Sequence, residues 1–474
     1  MKKVLSLLLM ALFGAGISEA KVTLPSFFSD NMVFQQNERV AIWGWTDTGR
    51  KVTVSATWSD EKATAAPGAD GKWMVRLQTP AAGGPYEVTV SDGEKTVLHN
   101  VLVGEVWYCS GQSNMTMQVK GFAGQPVVGS ADAILSAKPE VPIRMCTVER
   151  TASLKQLKHT RGSWKENTPE AVAGTSAAAY FFARRLHETL GIPVGILISN
   201  WGGSTIEAWI DEPTIRGKFD GEFNLDFLSG TKLPEKQHQT PCTLFNGQVH
   251  PLIPFTFKGI IWYQGEANRK RPDQYIRLQK EYVAMMRNLF ENPEAPFYFV
   301  QIAPYCYDDP DSFDLGFFCE AQRKTLEVIP RSGMAPTLDI GAFGTVHPSH
   351  KIEVGDRLAY LALVNDYGVK GIDPYSPTYK SVEFKDGKAV VTMEVGPLGL
   401  APIGEDLTGF ELAGEDRVFH PAIGRAKGNT VTVSSPEVPN PVALRYGFRN
   451  WAVGTLFNNF GVPAGPFRTD DWKE

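Results

Sequence analysis

Residues 101–115 read Val-Leu-Val-Gly-Glu-Val-Trp-Tyr-Cys-Ser-Gly-Gln-Ser-Asn-Met. The apolar run over 101–109 predicts a buried strand. The Gly-x-Ser that follows predicts a sharp turn, because glycine adopts backbone conformations that other residues avoid. Such a turn exposes the hydroxyl of Ser113 and aims the next backbone amides at a developing oxyanion. Met115 stands where a nucleophile elbow has glycine, so for this stretch alone a loop serine without a catalytic role remains the alternative.

Beyond this stretch, short apolar segments alternate with segments of helical periodicity up to about residue 370. The predicted strands are 101–109, 193–199, 257–264, 297–302 and 335–340, and the predicted helices are 175–190, 273–291, 320–328 and 351–364. Strands that alternate with helices predict an α/β core with a mostly parallel sheet and helices on both faces. The stretch 205–245 has no clear period and is predicted to be an insertion over one edge of this core.

Period-two patterns lie on both sides of the core and predict two β-domains. The domain prediction is a signal peptide at 1–20, an N-terminal β-sandwich at 21–98, a catalytic α/β domain at 99–370 and a C-terminal β-domain at 371–474.

The N-terminus has the pattern of an export signal. Lys2 and Lys3 precede an apolar run over 4–16, and Ser18 and Ala20 supply the small residues that a signal peptidase accepts. A secreted or periplasmic location is therefore expected. No later segment reaches the roughly 20 apolar residues of a bilayer span, so no membrane span is expected in the mature chain.

Composition excludes several classes of function. The 474 residues carry a formal charge of −5, without the basic character that binding to a nucleic-acid backbone requires. Five cysteines are too few for a disulfide scaffold, and no pair has the spacing of zinc ligands, so no metal is expected.

Two further strand ends carry unusual residues. Gly202 and Gly203 lie in Asn-Trp-Gly-Gly-Ser at 200–204, and each can bring a backbone amide close to a ligand oxygen. Glu266 and Asn268 lie in Trp-Tyr-Gln-Gly-Glu-Ala-Asn at 262–268 and offer a carboxylate and an amide donor. An ordinary glycine turn and helix caps are the structural alternatives.

A nucleophilic serine needs a base, and imidazole is the usual one. Of the eight histidines, His347 lies in a loop after the predicted 335–340 strand, at the edge where active groups collect. His350 is predicted to cap the next helix, and His250 is predicted to line the same cleft.

These motifs together resemble the sialate O-acetylesterase family of SGNH hydrolases. They are Gly-Gln-Ser-Asn-Met at 111–115, Trp-Gly-Gly-Ser at 201–204, Trp-Tyr-Gln-Gly-Glu at 262–266 with Asn268, and His-Pro at 347–348. Residues 24–33 and 465–469 are similar to that family too, so the resemblance spans nearly all of the predicted mature chain.

The resemblance implies an SGNH-like three-layer α/β/α core, flanked by N-terminal and C-terminal β-sandwich-like domains. It implies that Ser113 is the nucleophile and His347 its base, with the Ser113 amide, Gly202 or Gly203, and Asn268 as the oxyanion hole. The implied reaction removes acetyl groups from an O-acetylated sugar or sialoglycan through an acetyl-enzyme, without a cofactor. Substrate contacts are predicted for Gln112, Trp201, Gln264 and His250.

One position departs from the family pattern. The family commonly has Asp two residues before the histidine, whereas this chain has Thr345, which cannot supply a negative charge. Either the site works as a dyad or another carboxylate substitutes. Our hypothesis gives the triad role to Glu266, and Asp339 is the second candidate.

Three other readings stay open. An acetylxylan or hemicellulose esterase would use the same catalytic groups, because cleft shape sets substrate choice. A non-catalytic glycan-binding protein would use the aromatic residues of these motifs. A glycosidase needs two carboxylates, and these motifs contain no second acidic residue to pair with Glu266.

Overall fold

The computed structural model describes residues 22–472, and the predicted signal peptide at 1–20 lies outside the described residues. The chain has a mixed α/β fold built around one large sheet. The N-terminal strands are β1 (Val33–Gln35), β2 (Arg39–Trp45), β3 (Val52–Ala56), β4 (Lys62–Ala65), β5 (Lys72–Gln78) and β6 (Gly83–Ser91).

The central strands are β7 (Lys95–Gly111), β8 (Ile143–Thr147), β9 (Trp164–Lys165), β10 (Val194–Asn200), β11 (Gly259–Tyr263), β12 (Phe297–Val300) and β13 (Ser332–Ala335). They lie in the order β13-β12-β11-β7-β10-β8-β9, and every neighbouring pair is parallel except β8 with β9. Because the chain moves to opposite sides of β7 when it forms β10 and β11, the carboxyl end of β7 lies at a topological switch point.

The helices are α1 (Ser113–Thr116), α2 (Ser130–Leu135), α3 (Pro169–Gly174), α4 (Ala177–Leu190), α5 (Glu212–Lys218), α6 (Pro272–Leu289), α7 (Asp314–Thr325) and α8 (Lys351–Asn365). Ser176 caps α4 by accepting from the amide of Ala179, and Gly191 ends that helix with a left-handed φ of 69°. This end is the one that the glycine predicts.

Alternating side chains of β7 enter two separate hydrophobic clusters. Val106 and Tyr108 pack in a cluster that contains the apolar residues of α6 and α7. Trp107 and Cys109 pack in another cluster with those of α4 and α8. Since successive side chains of a strand point to opposite faces, these two helix pairs cover opposite faces of the sheet.

The predicted core elements are observed with two displacements. The strand predicted at 335–340 is β13 at Ser332–Ala335, and the helix predicted at 320–328 is α7, which begins earlier. Pro336 has no backbone N–H to donate to a ladder, which explains why the strand ends before it. The stretch 205–245 contains α5 and several short 3₁₀ turns.

The N-terminal strands join the core through β7. This strand pairs antiparallel with β6 in its first half and parallel with β10 and β11 in its second half. Strands β2 and β5 form a separate antiparallel pair, and buried Trp43 and Trp73 lie on them. The boundary predicted between residues 98 and 99 falls within β7, and the domain limits remain predictions.

The C-terminal strands are β14 (Thr378–Lys385), β15 (Lys388–Glu394), β16 (Leu400–Ala401), β17 (Leu407–Ala413), β18 (Phe419–Lys427), β19 (Thr430–Ser434), β20 (Ala443–Tyr446), β21 (Phe457–Asn458) and β22 (Phe467–Arg468). Seven of them form an antiparallel sheet in the order β14-β15-β19-β18-β17-β20-β22. This sheet contacts the core at α7, where Arg468 pairs with Glu320 at 3.1 Å.

Within residues 22–472, no helix is both long and apolar enough for a membrane span. All five cysteines are free thiols.

Candidate active site

Three parallel strands end side by side at the switch point. Gly111 of β7 is in register with Asn200 of β10 and Tyr263 of β11. Gly111 has a φ of 144°, and a Cβ there would lie 2.1 Å from the carbonyl oxygen of Tyr263, so only glycine fits. The chain then enters α1, whose first residue is the half-buried Ser113. Gln112 makes no side-chain cap, so its side chain does not satisfy the first amides of α1.

The glycine turn after β10 lies beside the serine. A Cβ at Gly202 would stand 3.5 Å from the Cβ of Ser113, so this backbone passes close to the hydroxyl. Gly203 has a φ of 72° and lies against His238. Trp201 and His238 have nearly parallel rings, at an interplanar angle of 7° with 6.2 Å between centroids. Of the two predicted glycines, Gly202 is therefore the one next to Ser113, and an aromatic pair adjoins it.

The His347 loop is tied directly to α1. Asn114, the residue after Ser113, donates through Nδ2 to the carbonyl oxygen of Val346 at 2.9 Å. Nδ1 of His347 lies 2.7 Å from Oε1 of Gln125, so the proton of the neutral ring is on Nδ1. Nε2 of His347 is buried and has no hydrogen-bond partner in the described chain. The ring therefore carries a free acceptor nitrogen, as a general base requires.

The charge state of the ring agrees with this role. Burial, together with the nearby positive charge of Lys351, lowers the pKa of His347 from 6.5 to about 4. The imidazole is thus neutral at neutral pH and able to accept a proton.

The hydrogen bonds do not match the triad hypothesis for Glu266. Its Oε1 accepts from Nδ2 of Asn114 at 2.5 Å, while the Nδ1 proton of His347 goes to the amide oxygen of Gln125. Burial raises the pKa of Glu266, and its Oε2 has no partner among residues 22–472. Glu266 thus bonds to the residue after Ser113 and not to the imidazole. The neutral amide of Gln125 accepts from Nδ1, where a triad acid would accept.

Neither Asp339 nor Thr345 replaces that acid. Asp339 forms a two-point ion pair with Arg357, at 2.8 and 2.6 Å. The Thr345 hydroxyl accepts from the backbone amide of His347 at 3.1 Å. This bond stabilises the loop and does not involve the imidazole ring.

Asn268 and Gln264 are buried and bond to neighbouring protein groups. Asn268 donates through Nδ2 to Glu207 at 2.9 Å and accepts from the amide of Ile206 and from Gln264. Gln264 also donates to the carbonyl oxygen of Ser204 at 3.1 Å. Both side chains are buried and join the turn after β10 to the turn after β11. These contacts are with other protein groups, and the oxyanion role of Asn268 and the substrate contact of Gln264 remain predictions.

Two other predicted substrate contacts have structural partners. Oε1 of Gln112 accepts from the amides of Gly265 and Ala267 at 3.3 and 3.2 Å. His250 contacts the carbonyl oxygen of Leu157 through Nδ1 at 2.8 Å. Its described contacts do not include the serine or the imidazole of the site, and a substrate contact for either residue remains a prediction.

Four residues at or near the site were not predicted. Gln125 contacts the imidazole, and Lys351 contacts the residue after the serine. Glu207 accepts from the Asn268 amide, and His238 faces the glycine turn. The spacing of Lys351 four residues after His347 was the only sequence signal for any of them. Among residues 22–472, no three His, Cys, Asp or Glu side chains form a group that could hold a metal.

Known proteins are similar to this chain in sequence and in fold. Residues 103–363 match the family described as carbohydrate esterase, sialic acid-specific acetylesterase. The chain is 29% identical to the sialate O-acetylesterase of Rattus norvegicus over 430 residues, 78% of each chain. It is also 29% identical to the Homo sapiens enzyme over 428 residues, 82% of this chain and 79% of the other.

A solved structure is similar over almost the whole length. A carbohydrate acetylesterase from Xanthomonas citri superposes with a TM-score of 0.85 at 33% identity, covering 95% of this chain and 100% of the other. The chain therefore belongs to the sialic acid-specific acetylesterase family of carbohydrate esterases, and it is a hydrolase of carboxylic esters.

Proposed function

We propose that this protein removes O-acetyl groups from sugars, with O-acetylated sialic acid as the substrate class. The observation that carries the proposal is the free, buried Nε2 of His347 on a loop bonded to the residue after Ser113. A non-catalytic glycan-binding protein has no use for a neutral imidazole held in this tautomer on a loop bonded to the serine turn.

In the proposed reaction, Nε2 of His347 takes the proton of the Ser113 hydroxyl as Oγ attacks the acetyl carbonyl carbon. The amides of Ser113 and Gly202 stabilise the negative oxygen of the tetrahedral intermediate. The bond between the acetyl carbon and the sugar oxygen then breaks, and the sugar oxygen leaves with the proton from His347. His347 then takes a proton from a water molecule, which attacks the acetyl carbon of the acetyl-enzyme. The bond to Ser113 breaks, the serine oxygen recovers its proton from His347, and acetate is released.

Gln125 performs part of the task of a triad acid. By accepting from Nδ1 it fixes the tautomer and the orientation of the ring. It carries no charge, so it stabilises the imidazolium less than a carboxylate would. The proposed arrangement is therefore Ser113–His347–Gln125.

The similar proteins support an O-acetylated sugar as the substrate. Sialate O-acetylesterases are similar over most of the chain, and the structural relative is a carbohydrate acetylesterase. Trp201 beside Gly202 is half-buried and pairs with His238, and an aromatic side chain of this kind suits its predicted contact with a sugar.

The test is acetate release by the wild type and by Ser113→Ala from 9-O-acetylated sialic acid and from acetylated xylan. The proposal expects release from the sialic acid substrate by the wild type alone. Faster release from xylan would replace the substrate class by the hemicellulose alternative. Equal release by Ser113→Ala would remove the serine mechanism.

We infer that the core is the three-layer arrangement of SGNH hydrolases, with helices on both faces of the parallel sheet supporting this assignment. We also propose export through the signal at 1–20, which mass spectrometry of the mature N-terminus tests.

A further inference from the structure

A lysine is buried in an unfavourable place next to the proposed catalytic groups. Lys351 is the first residue of α8, and its relative exposure is 0%. Burial of an ammonium group costs solvation, and the N-terminus of a helix repels positive charge. Such a group persists only where its partners compensate it, and clusters of this kind are common at functional sites.

The partners of Lys351 converge on one amide. Its Nζ donates to Oδ1 of Asn114 at 2.5 Å and lies 5.0 Å from the ring centre of Tyr263. Asn114 in turn donates through Nδ2 to Glu266 and to the carbonyl oxygen of Val346. One side chain thus connects α1, α8, the turn after β11 and the loop that bears the imidazole.

This connection joins the neighbours of the two proposed reacting groups. Ser113 immediately precedes Asn114, and His347 immediately follows Val346. The Asn114 amide therefore ties the backbone next to the serine to the backbone next to the imidazole. Its orientation is determined because Oδ1 faces a cation and Nδ2 faces a carboxylate.

We propose that Lys351 and Glu266 are positioning residues that act through Asn114 to hold the Ser113 turn against the His347 loop. This inference rests on the proposed serine esterase function. It assigns the two buried charges a task other than contact with the substrate.

The electrostatics support a paired unit. Burial lowers the pKa of Lys351 to about 7, and the negative charge of Glu266 opposes this change. Lys351 also lowers the pKa of His347. The other titratable groups that sense Glu266 are Tyr263, Tyr275, Tyr307 and Cys319, whose pKa values are raised first by burial and further by that carboxylate.

The experiment is a double-mutant cycle with Lys351→Met, Glu266→Gln and the double variant in the full chain. Each single change leaves one buried charge without its partner, whereas the double change removes both. Lys258→Met is the control, because half-buried Lys258 also lies over a tyrosine ring, Tyr367 at 5.7 Å, in a region without proposed catalytic groups.

We expect Lys351→Met to lower kcat by about 10- to 100-fold with KM changed less than threefold, the equivalent of one lost charge-assisted hydrogen bond. The acid limb of kcat/KM should move to higher pH, because the imidazole no longer faces the ammonium charge. The double variant should have a higher Tm than Lys351→Met, and the control should behave as the wild type.

Three results decide the matter. If the effects of the two single changes on Tm and kcat simply add, the coupling through Asn114 is wrong. If Lys351→Met does not fold, recovery of folded protein in the double variant supports the pair, and failure of the double variant overturns it. If the wild type releases no acetate, the proposed function fails, while the Tm cycle still measures the coupling.

Discussion

The contact between Gln125 and the imidazole gives the sharpest prediction. Gln125→Leu keeps the size of the side chain and removes the acceptor for Nδ1 of His347. The backbone at 125 is fixed independently, by reciprocal hydrogen bonds with Phe122 at 2.9 and 3.0 Å. The substitution should therefore leave the loop in place and release only the ring.

The size of the effect follows from the kind of bond lost. A neutral hydrogen bond contributes about 0.5–1.5 kcal/mol, and about 1.4 kcal/mol is a factor of ten in rate. We expect kcat of Gln125→Leu to fall by about 2- to 13-fold. A triad carboxylate would cost far more, about 10⁴ when its loss leaves the wrong tautomer.

Gln125→Glu tests the same contact in the opposite direction. A carboxylate beside the ring favours the imidazolium and raises its pKa by about 1–3. The pKa of His347 then rises from about 4 to about 5–7, so the active neutral form is lost at a higher pH.

The assay is the pH profile of kcat/KM for acetate release, which reports the pKa of the free enzyme. Gln78→Leu is a suitable control, because it removes a side-chain hydrogen bond to Thr79 at the surface of the N-terminal strands. An acid limb of Gln125→Glu that overlays that of the wild type would refute the assigned contact. A Gln125→Leu rate equal to that of the wild type would refute it as well.

Four further results are expected. Ser113→Ala should lower kcat by about 10⁴ or more with an unchanged Tm, measured by acetate release and calorimetry; activity that persists would exclude the nucleophile. Gly202→Val should lower kcat by about 100-fold, and Gly202→Ala by less, because a Cβ alone fits at 3.5 Å from Ser113; equal initial rates in both variants would contradict this. Asp339→Ala should destabilise the fold by about 3–5 kcal/mol in urea unfolding by leaving Arg357 unpaired, while kcat per folded molecule stays constant. The pKa of His347 in the folded protein lies below its ordinary 6.5, so the unfolded chain binds the proton first as pH falls. The free energy of unfolding should therefore decrease as pH falls from 6.5 toward 4, and His347→Ala should flatten this dependence in urea titrations.

The elements of the core were predictable because their signals are local. Apolar runs bounded by glycine and proline predicted β7, β10 and β11, and the helical period with a terminal glycine predicted α4. The displaced edge strand β13 shows the limit of this approach. An apolar run does not tell on which side of Pro336 the strand lies.

The principal groups of the site were predictable for a related reason. Ser113, Gly202 and Glu266 each follow a parallel strand, and carboxyl ends of adjacent parallel strands meet at one edge. The strand order brings these turns together whatever the details of packing. Their proximity therefore depends on the position of β7 between β10 and β11 in the sheet and not on details of side-chain packing.

The sequence by itself determined which residue types stand at the strand ends, and so the chemistry available to this protein. Only the tertiary structure decided which of them bond to each other. Gln125 meets His347 across 222 positions of sequence, and Lys351 meets Asn114 across 237. Hydrogen bonds act over about 3 Å, so the side chain that orients the imidazole depends on how distant loops pack, which no local pattern of residues encodes.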